Sequence, residues 1–175
     1  MIVWLNGAFG AGKTTVAREL CRALPTARRF DPEWLGYALR RTRPVPGGDY
    51  QDLAAWRRWT VRLAGLAARG GRPVVVPMTL LRADYRSEIL GGLRRRGTPV
   101  RQVVLRVPEP VLRARIDGDD REAGARDWRH RHVARALAEL SGLADRESDT
   151  VEVDNHGRGP AAVAAEIVAS LSRLP

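Results

Sequence analysis

The stretch Gly7-Ala8-Phe9-Gly10-Ala11-Gly12-Lys13-Thr14 constrains the fold more than any other part of the chain. It fits the pattern G-x-x-x-x-G-K-[ST], in which glycines let the backbone curl so that consecutive N–H groups point inward at an anion. The flanks meet the same requirement. Met1 to Leu5 is a short apolar run that reads as a buried strand, and after the loop Val16, Ala17, Leu20 and Leu24 recur at helical spacing. A strand, a Gly-rich turn and a helix N-terminus with its partial positive charge form a phosphate cradle. In such a cradle Gly7, Ala8, Phe9, Gly10, Ala11, Gly12, Lys13, Thr14 and Thr15 surround the phosphates of ATP. Lys13 reaches the β and γ phosphates, and the Thr14 hydroxyl ligates Mg²⁺. Of 30 Lys plus Arg, Lys13 is the only lysine. A chain that otherwise uses arginine thus places a compact, mobile ammonium where this loop chemistry needs one.

The rest of the pattern alternates. Residues 13–24 read as a helix, Arg28 to Phe30 as strand 2, 33–41 as a helix, and Arg43-Pro-Val-Pro-Gly-Gly48 as a connection. Asp52 to Arg69 is amphipathic, with Leu53, Trp56, Trp59, Leu63 and Leu66 on one side and Gly70-Gly71 at its end. Val74 to Pro77 is strand 3, 84–96 a helix, Val100 to Val107 strand 4, and Glu109 to Ile116 a helix. After the polar stretch 117–127 come a helix over 128–142, strand 5 at Thr150 to Val153, and a last helix over 160–173. Strands separated by helices imply an α/β fold, a five-stranded parallel sheet with helices on both faces; together with the phosphate loop this resembles the P-loop kinase-like three-layer fold, whose lid after strand 4 would fall at about 117–127. The 175 residues read as one domain, and 44% apolar content is enough for a core. No run of 18 apolar residues predicts a membrane span. The N-terminus does not read as a secretion signal, and a lone Cys21 excludes an internal disulfide, so a cytoplasmic protein is expected.

The formal net charge is +10. Its arginines are dispersed, the densest run being Arg94-Arg95-Arg96 before a glycine, and no nucleic-acid motif is present. An arginine-biased composition with a phosphate-handling site accounts for the charge, and no specific nucleic-acid partner is expected. Weak association with an acidic membrane surface is admitted on electrostatic grounds alone. The oligomeric state is not legible.

Absences narrow the class. A guanine reader of the form Asn-Lys-x-Asp cannot exist when Lys13 is the sole lysine. Strand 3 runs Val-Val-Val-Pro-Met-Thr without the acidic pair of helicase-like and transporter ATPases, and Leu140-Ser141-Gly142 is a helix end. Small-molecule kinases fit better. They often place an acid after strand 2, where Asp31 stands, to accept a proton from a substrate hydroxyl or orient Mg²⁺ through water. The other reading of Asp31 is a helix cap. Val107 to Asp119 resembles the entry to the lid of nucleoside monophosphate kinases. That resemblance implies Arg115 against the adenine and a phosphate-binding arginine at the position of Asp119. Arg121, Arg126 or Arg129 would replace the missing one, since lid arginines neutralise charge on the transferred phosphoryl group. His130 and His132, two apart on a helix, point to different faces and make no metal pair. After strand 5, Asn155 or His156 is expected to edge the adenine.

Three blocks carry a family resemblance: Met1 to Thr14, Phe30-Asp-Pro-Glu-Trp-Leu-Gly-Tyr-Ala-Leu-Arg40, and Val76-Pro-Met-Thr79, with Val153-Asp-Asn155 before the last helix. The chain is similar to the tunicamycin-resistance ATP-binding proteins. The resemblance implies a nucleoside-kinase-like fold, ATP binding and resistance to a uridine-containing nucleoside antibiotic, by phosphorylating the drug or by holding it. The fold is also similar to that of chloramphenicol phosphotransferases, whose acid after strand 2 acts as a base; Asp31 matches it by position. The expected substrate side comprises Asp31, Trp34, Tyr37, Arg40, Trp56 and Thr79. Arg40 would meet a phosphate, carbonyl or sugar oxygen, and the aromatic residues would offer flat apolar surfaces. For Trp56 and Trp59 on the long helix, core packing is the competing role. Phosphorylation of polynucleotide ends, suggested by charge alone, is the third alternative.

Overall fold

The computed structural model describes residues 1–42, 45 and 48–171, with the side chains of Thr42, Arg121 and Glu122 excepted. Five strands form one parallel sheet in the order β2-β3-β1-β4-β5. They are β1 (Ile2–Gly7), β2 (Arg28–Arg29), β3 (Val74–Pro77), β4 (Val100–Arg106) and β5 (Thr150–Asp154). Central β1 pairs with β3 (Ile2 opposite Val74) and with β4 (Ile2 opposite Val100), so the C-terminal ends of these strands finish side by side.

Alternate residues of β1 feed two cores. Val3 and Leu5 join Val75, Val103, Leu105 and Val153 beneath α1 (Lys13–Ala23), α6 (Glu109–Asp117), α7 (Arg126–Leu140) and α9 (Pro160–Leu171). Ile2 and Trp4 join Val74, Val76 and Val100 against α3 (Ala54–Ala67) and the helical stretch 83–94. A period of two within a fully apolar strand is what a sheet covered on both faces requires. Between the remaining elements lie α2 (Glu33–Thr42) and the short α8 (Leu143–Arg146).

Several boundaries differ from the sequence expectation. The β1 strand runs to Gly7, two residues past the apolar run, because Asn6 and Gly7 still pair with β4. The long helix starts at Ala54: Asp49 accepts the Gln51 N–H at 2.9 Å and sets Tyr50–Asp52 as a 3₁₀ turn, and Leu53 is extended. The helix expected over 84–96 is interrupted. A π turn, Ser87–Gly91, separates α4 (Ala83–Arg86) from α5 (Gly92–Arg94). Gly92 there lies so close to Val61 of α3 that a Cβ would sit 3.3 Å from its Cγ2. The lid stretch is partly helical, with a 3₁₀ segment Asp120–Ala125 leading into α7. Residues 172 and 173 of the expected last helix, and most of the expected 43–48 connection, lie outside the described residues. Among the described residues no helix is long and apolar enough to cross a membrane.

Buried polar bonds fix the strand ends. Asn6 Nδ2 donates to the Leu80 carbonyl (2.8 Å) and to Gln102 Oε1 (3.2 Å), while its Oδ1 accepts the Leu80 N–H (3.0 Å). Gln102 continues the chain to Thr150 Oγ1 and Glu147 Oε2, and Glu147 pairs with buried Arg86. Each group is satisfied, so the network holds the sheet's register at low cost.

Candidate functional site

The Gly-rich loop occupies residues 8–12 between β1 and α1. Gly10 and Gly12 have φ of 80° and 84°, a region L side chains rarely adopt. Space also excludes side chains: a Cβ on Gly10 would come 2.9 Å from the Leu112 carbonyl, and one on Gly12 2.9 Å from Asn155 Nδ2. The loop's carbonyls are engaged by the protein. Thr79 Oγ1 donates to Gly7 O at 2.8 Å, Arg115 to Gly10 O at 3.3 Å, and Asn155 Nδ2 to Ala11 O at 2.7 Å. Lys13 Nζ donates to the carbonyls of Gly7 and Ala8, each at 3.0 Å. Gly12, the N-cap of α1, has no side chain to accept from the first turn, and that turn carries no acidic residue. A helix start whose N–H groups lack a side-chain acceptor, beside a lysine and two glycines that nothing larger can replace, fits a phosphate group. Thr14 and Thr15 are exposed at this helix start. Among the described residues no group of three or more His, Cys, Asp or Glu is placed to hold a metal. A cation here would rest on the Thr14 hydroxyl and the oxygens of the bound phosphates.

The other expected site residues fall into distinct groups. Asn155 is buried, and its groups brace the loop: its N–H goes to Arg106 O at 2.9 Å and its carbonyl accepts from Arg115 at 3.1 Å. Arg115 likewise ties the loop to the β5 end. Asp31 is half-buried and accepts the Glu33 N–H at 3.1 Å through Oδ1, so the capping reading holds for that oxygen. Trp34 and Tyr37 are about half exposed, at 51% and 53%. Trp34 packs edge-on to Phe30 and Tyr37 edge-on to Tyr50. Arg40 lies 5.1 Å over the Tyr50 ring and donates to the Gly48 carbonyl. Trp56 corrects the sequence expectation: it is wholly buried and its Nε1 donates to Pro32 O at 3.0 Å, so it ties α3 to the start of α2 and presents no face to a ligand. Thr79, also buried, spends its hydroxyl on Gly7.

In the lid, Arg129 is nearly buried and donates to Asp119 Oδ2 at 2.9 Å. The acid standing where a lid arginine was expected therefore anchors a different arginine. Arg126 lies 3.7 Å from Asp120, and its Nε is buried without a partner among the described residues. The Arg121 side chain lies outside them.

A cavity of about 240 Å³ that sequence reasoning missed opens beside the loop at the end of β3. Phe9, Asp49, Thr79, Tyr85, Trp128 and His132 line it. Phe9 meets Trp128 edge-on at 5.0 Å, and Trp128 stacks on His132 at 4.2 Å. The i, i+4 spacing of Trp128 and His132 was the available signal. A larger groove, about 770 Å³, follows the ends of β4 and β5 between Pro108 and Glu152, and touches the loop only at Ala8.

These features define a P-loop kinase-like α/β protein. Residues 2–143 match the family described as AAA domain, and the chain belongs to that family. It is similar to the Deinococcus radiodurans tunicamycin resistance protein, with 29% identity and a TM-score of 0.74 over 98% of this chain and 95% of that one. A gluconokinase from Sinorhizobium meliloti 1021 shares the fold at 20% identity and a TM-score of 0.69, covering 98% of this chain and 91% of its own. So does the Mycobacterium tuberculosis APS kinase, at 19% identity and 0.62, covering 98% and 96%. No curated protein sequence matches the chain significantly.

Proposed function

We propose that the chain is an ATP- and Mg²⁺-dependent kinase that phosphorylates a hydroxyl of a nucleoside-type antibiotic, tunicamycin or a relative, as one domain working in the cytoplasm. The observation that carries this reading is the phosphate loop with Lys13 lying directly against a ligand-sized cavity through Phe9. The likeness to a tunicamycin resistance protein supports the drug, and the likeness to sugar and APS kinases supports transfer.

In this reading the loop and the first turn of α1 bind the triphosphate, and Lys13 leaves the loop carbonyls to neutralise charge on the β and γ phosphates. Thr14 would ligate Mg²⁺, which when bound draws negative charge from the phosphate oxygens. Asp31 takes the proton of the acceptor hydroxyl through Oδ2, since Oδ1 is held by the Glu33 N–H. Arg126, with its unpartnered Nε, and Arg121 close over the phosphates. The second reading is ATP-dependent sequestration of the drug without turnover. It is favoured by the absence of a carboxylate at the β3 end and by the engagement of Arg129 with Asp119.

Mass spectrometry of tunicamycin incubated with protein, ATP and Mg²⁺ tests the choice. A phosphate-sized gain that needs Lys13 and is abolished in Asp31→Asn, with ATP affinity retained in that variant, is expected. Normal turnover in Asp31→Asn removes that residue as the base. Tightly bound but unmodified drug establishes sequestration.

A further inference from the structure

The cavity beside Phe9 has two unlike walls. One is aromatic: Phe9 edge-on to Trp128, and Trp128 stacked on His132, whose ring nitrogen meets the Trp128 carbonyl at 2.7 Å. Trp128 is 39% exposed. The rest of the lining is of mixed charge: Asp49 and Asp52 stand with Arg82, which lies 4.0 Å from Asp52 and pairs with Asp84, and with Arg135. Asp52 is committed, accepting from the Tyr85 hydroxyl at 2.6 Å. Asp49 is not. Its Oδ1 takes the Gln51 N–H at 2.9 Å, and Oδ2 has no hydrogen-bond partner among the described residues. Gln51 Nε2 in turn donates to the Thr79 carbonyl at 3.1 Å, which pins this acidic turn to the end of β3.

A carboxylate with a vacant oxygen and an exposed indole lining one cavity of this size suit a ring with an apolar C–H face and hydroxyl donors on its edge. We infer that this cavity seats a hydroxyl-bearing ring of the acceptor, a sugar or the ribose of a nucleoside. Trp128 is the platform under that ring, and Asp49 the residue that selects it by accepting a ring hydroxyl. The inference rests on the kinase reading only for the position of the acceptor. It assigns Asp49 and Trp128 to recognition and leaves proton transfer to Asp31. The burial that raises the Asp49 carboxyl above its usual range, opposed by the Gln51 N–H, Arg40 and His132 and reinforced by Asp52, fits a site that expects a donor there.

Calorimetric titration of the full chain, saturated with a non-hydrolysable ATP analogue and Mg²⁺, tests this without turnover. The probes are tunicamycin and uridine. Asp49→Asn and Trp128→Ala are each expected to weaken tunicamycin by on the order of 10–100-fold, the loss for a charged hydrogen bond or a stacking face. Trp128→Phe restores most of it, and ATP-analogue affinity stays within about threefold in Asp49→Asn, which reports an intact fold. Tunicamycin bound equally by both variants and the parent overturns the assignment. A parent chain that ignores tunicamycin but binds uridine in an Asp49-dependent way upholds the cavity and sinks the antibiotic reading. A parent that binds neither sinks both.

Discussion

The phosphate loop and the acceptor cavity share Phe9 and lie side by side, yet they are built in opposite ways. The loop is one contiguous stretch, and other elements act on it through its carbonyls: Thr79 from the β3 end, Arg115 from α6 and Asn155 from beyond β5. Its shape is fixed by backbone, and its ligand-facing groups are main-chain N–H. The cavity is made of side chains from distant segments, namely Asp49, Thr79, Tyr85, Trp128 and His132, and about two-fifths of Trp128 is open. A backbone cradle recognises what every triphosphate has in common, whereas a side-chain cavity can change its ligand by substitution without moving the sheet. The difference predicts that substitutions in the loop act on nucleotide affinity whatever the acceptor, and that substitutions in the cavity act on one acceptor and leave the nucleotide alone.

The largest expected effect tests the loop half of that contrast. Gly12→Ala forces a left-handed φ on an L residue and drives its Cβ to 2.9 Å from Asn155 Nδ2, which the bond to Ala11 holds in place. Strain of about 1–2 kcal/mol is added to the loss of that bond. ATP-analogue affinity should fall by roughly 100-fold or more by calorimetry, against the 1.4 kcal/mol that each tenfold step represents. Asn155→Ala comes next. It leaves the Ala11 carbonyl without its donor at a buried position, a cost of about 1–3 kcal/mol. Thermal denaturation should show that loss, with a fall in nucleotide affinity of about tenfold. Unchanged affinity in Asn155→Ala would mean that the loop keeps its shape without a brace, and the contrast between the two halves would weaken.

What could be seen in the sequence follows the same division. Gly7 to Thr14 was legible because its chemistry is local: spacing, two obligatory glycines and a lone lysine lie within eight consecutive residues. The parallel sheet was legible because β1 opens on the apolar run Ile2 to Leu5, β3 is apolar throughout and β4 carries Val103 to Leu105, runs that suit a sheet covered on both faces. The cavity was not, since nothing about Asp49 or His132 alone says that tertiary packing brings them to Phe9. Trp56 could not be assigned by pattern either. Spacing put it on the apolar face of α3, but only the Pro32 carbonyl that receives its N–H shows that the indole is spent on packing. The Asn155 side chain holds the loop's Ala11 carbonyl, a partnership across 144 positions that no periodicity reports. In the lid, Asp119 broke the expected pattern, and its role became visible only with Arg129 seated on it.

The smallest expected effect sharpens the acceptor side. Asp49 is buried enough that its carboxyl is raised above the usual range, with Asp52 adding to the rise and the Gln51 N–H, Arg40 and His132 opposing it. A raised acid is a stability cost with a definite pH window. Below the unfolded-state value, about 4 for an aspartic acid, both states hold the proton and the group is neutral in its effect. As pH rises the unfolded chain ionises first, and folding loses stability until the folded carboxyl has also ionised. Above that point the loss is constant. Asp49→Asn, which cannot ionise, should therefore be as stable as the parent at pH 3 and more stable than it at pH 7. Urea denaturation at the two pH values measures this. A gain at neutral pH that coincides with weakened tunicamycin binding would show a carboxylate kept for its ligand at the expense of the fold, as sites of recognition often are. Equal stabilities at both pH values would place Asp49 in solvent, and the vacant oxygen in the cavity with Trp128 would lose its significance.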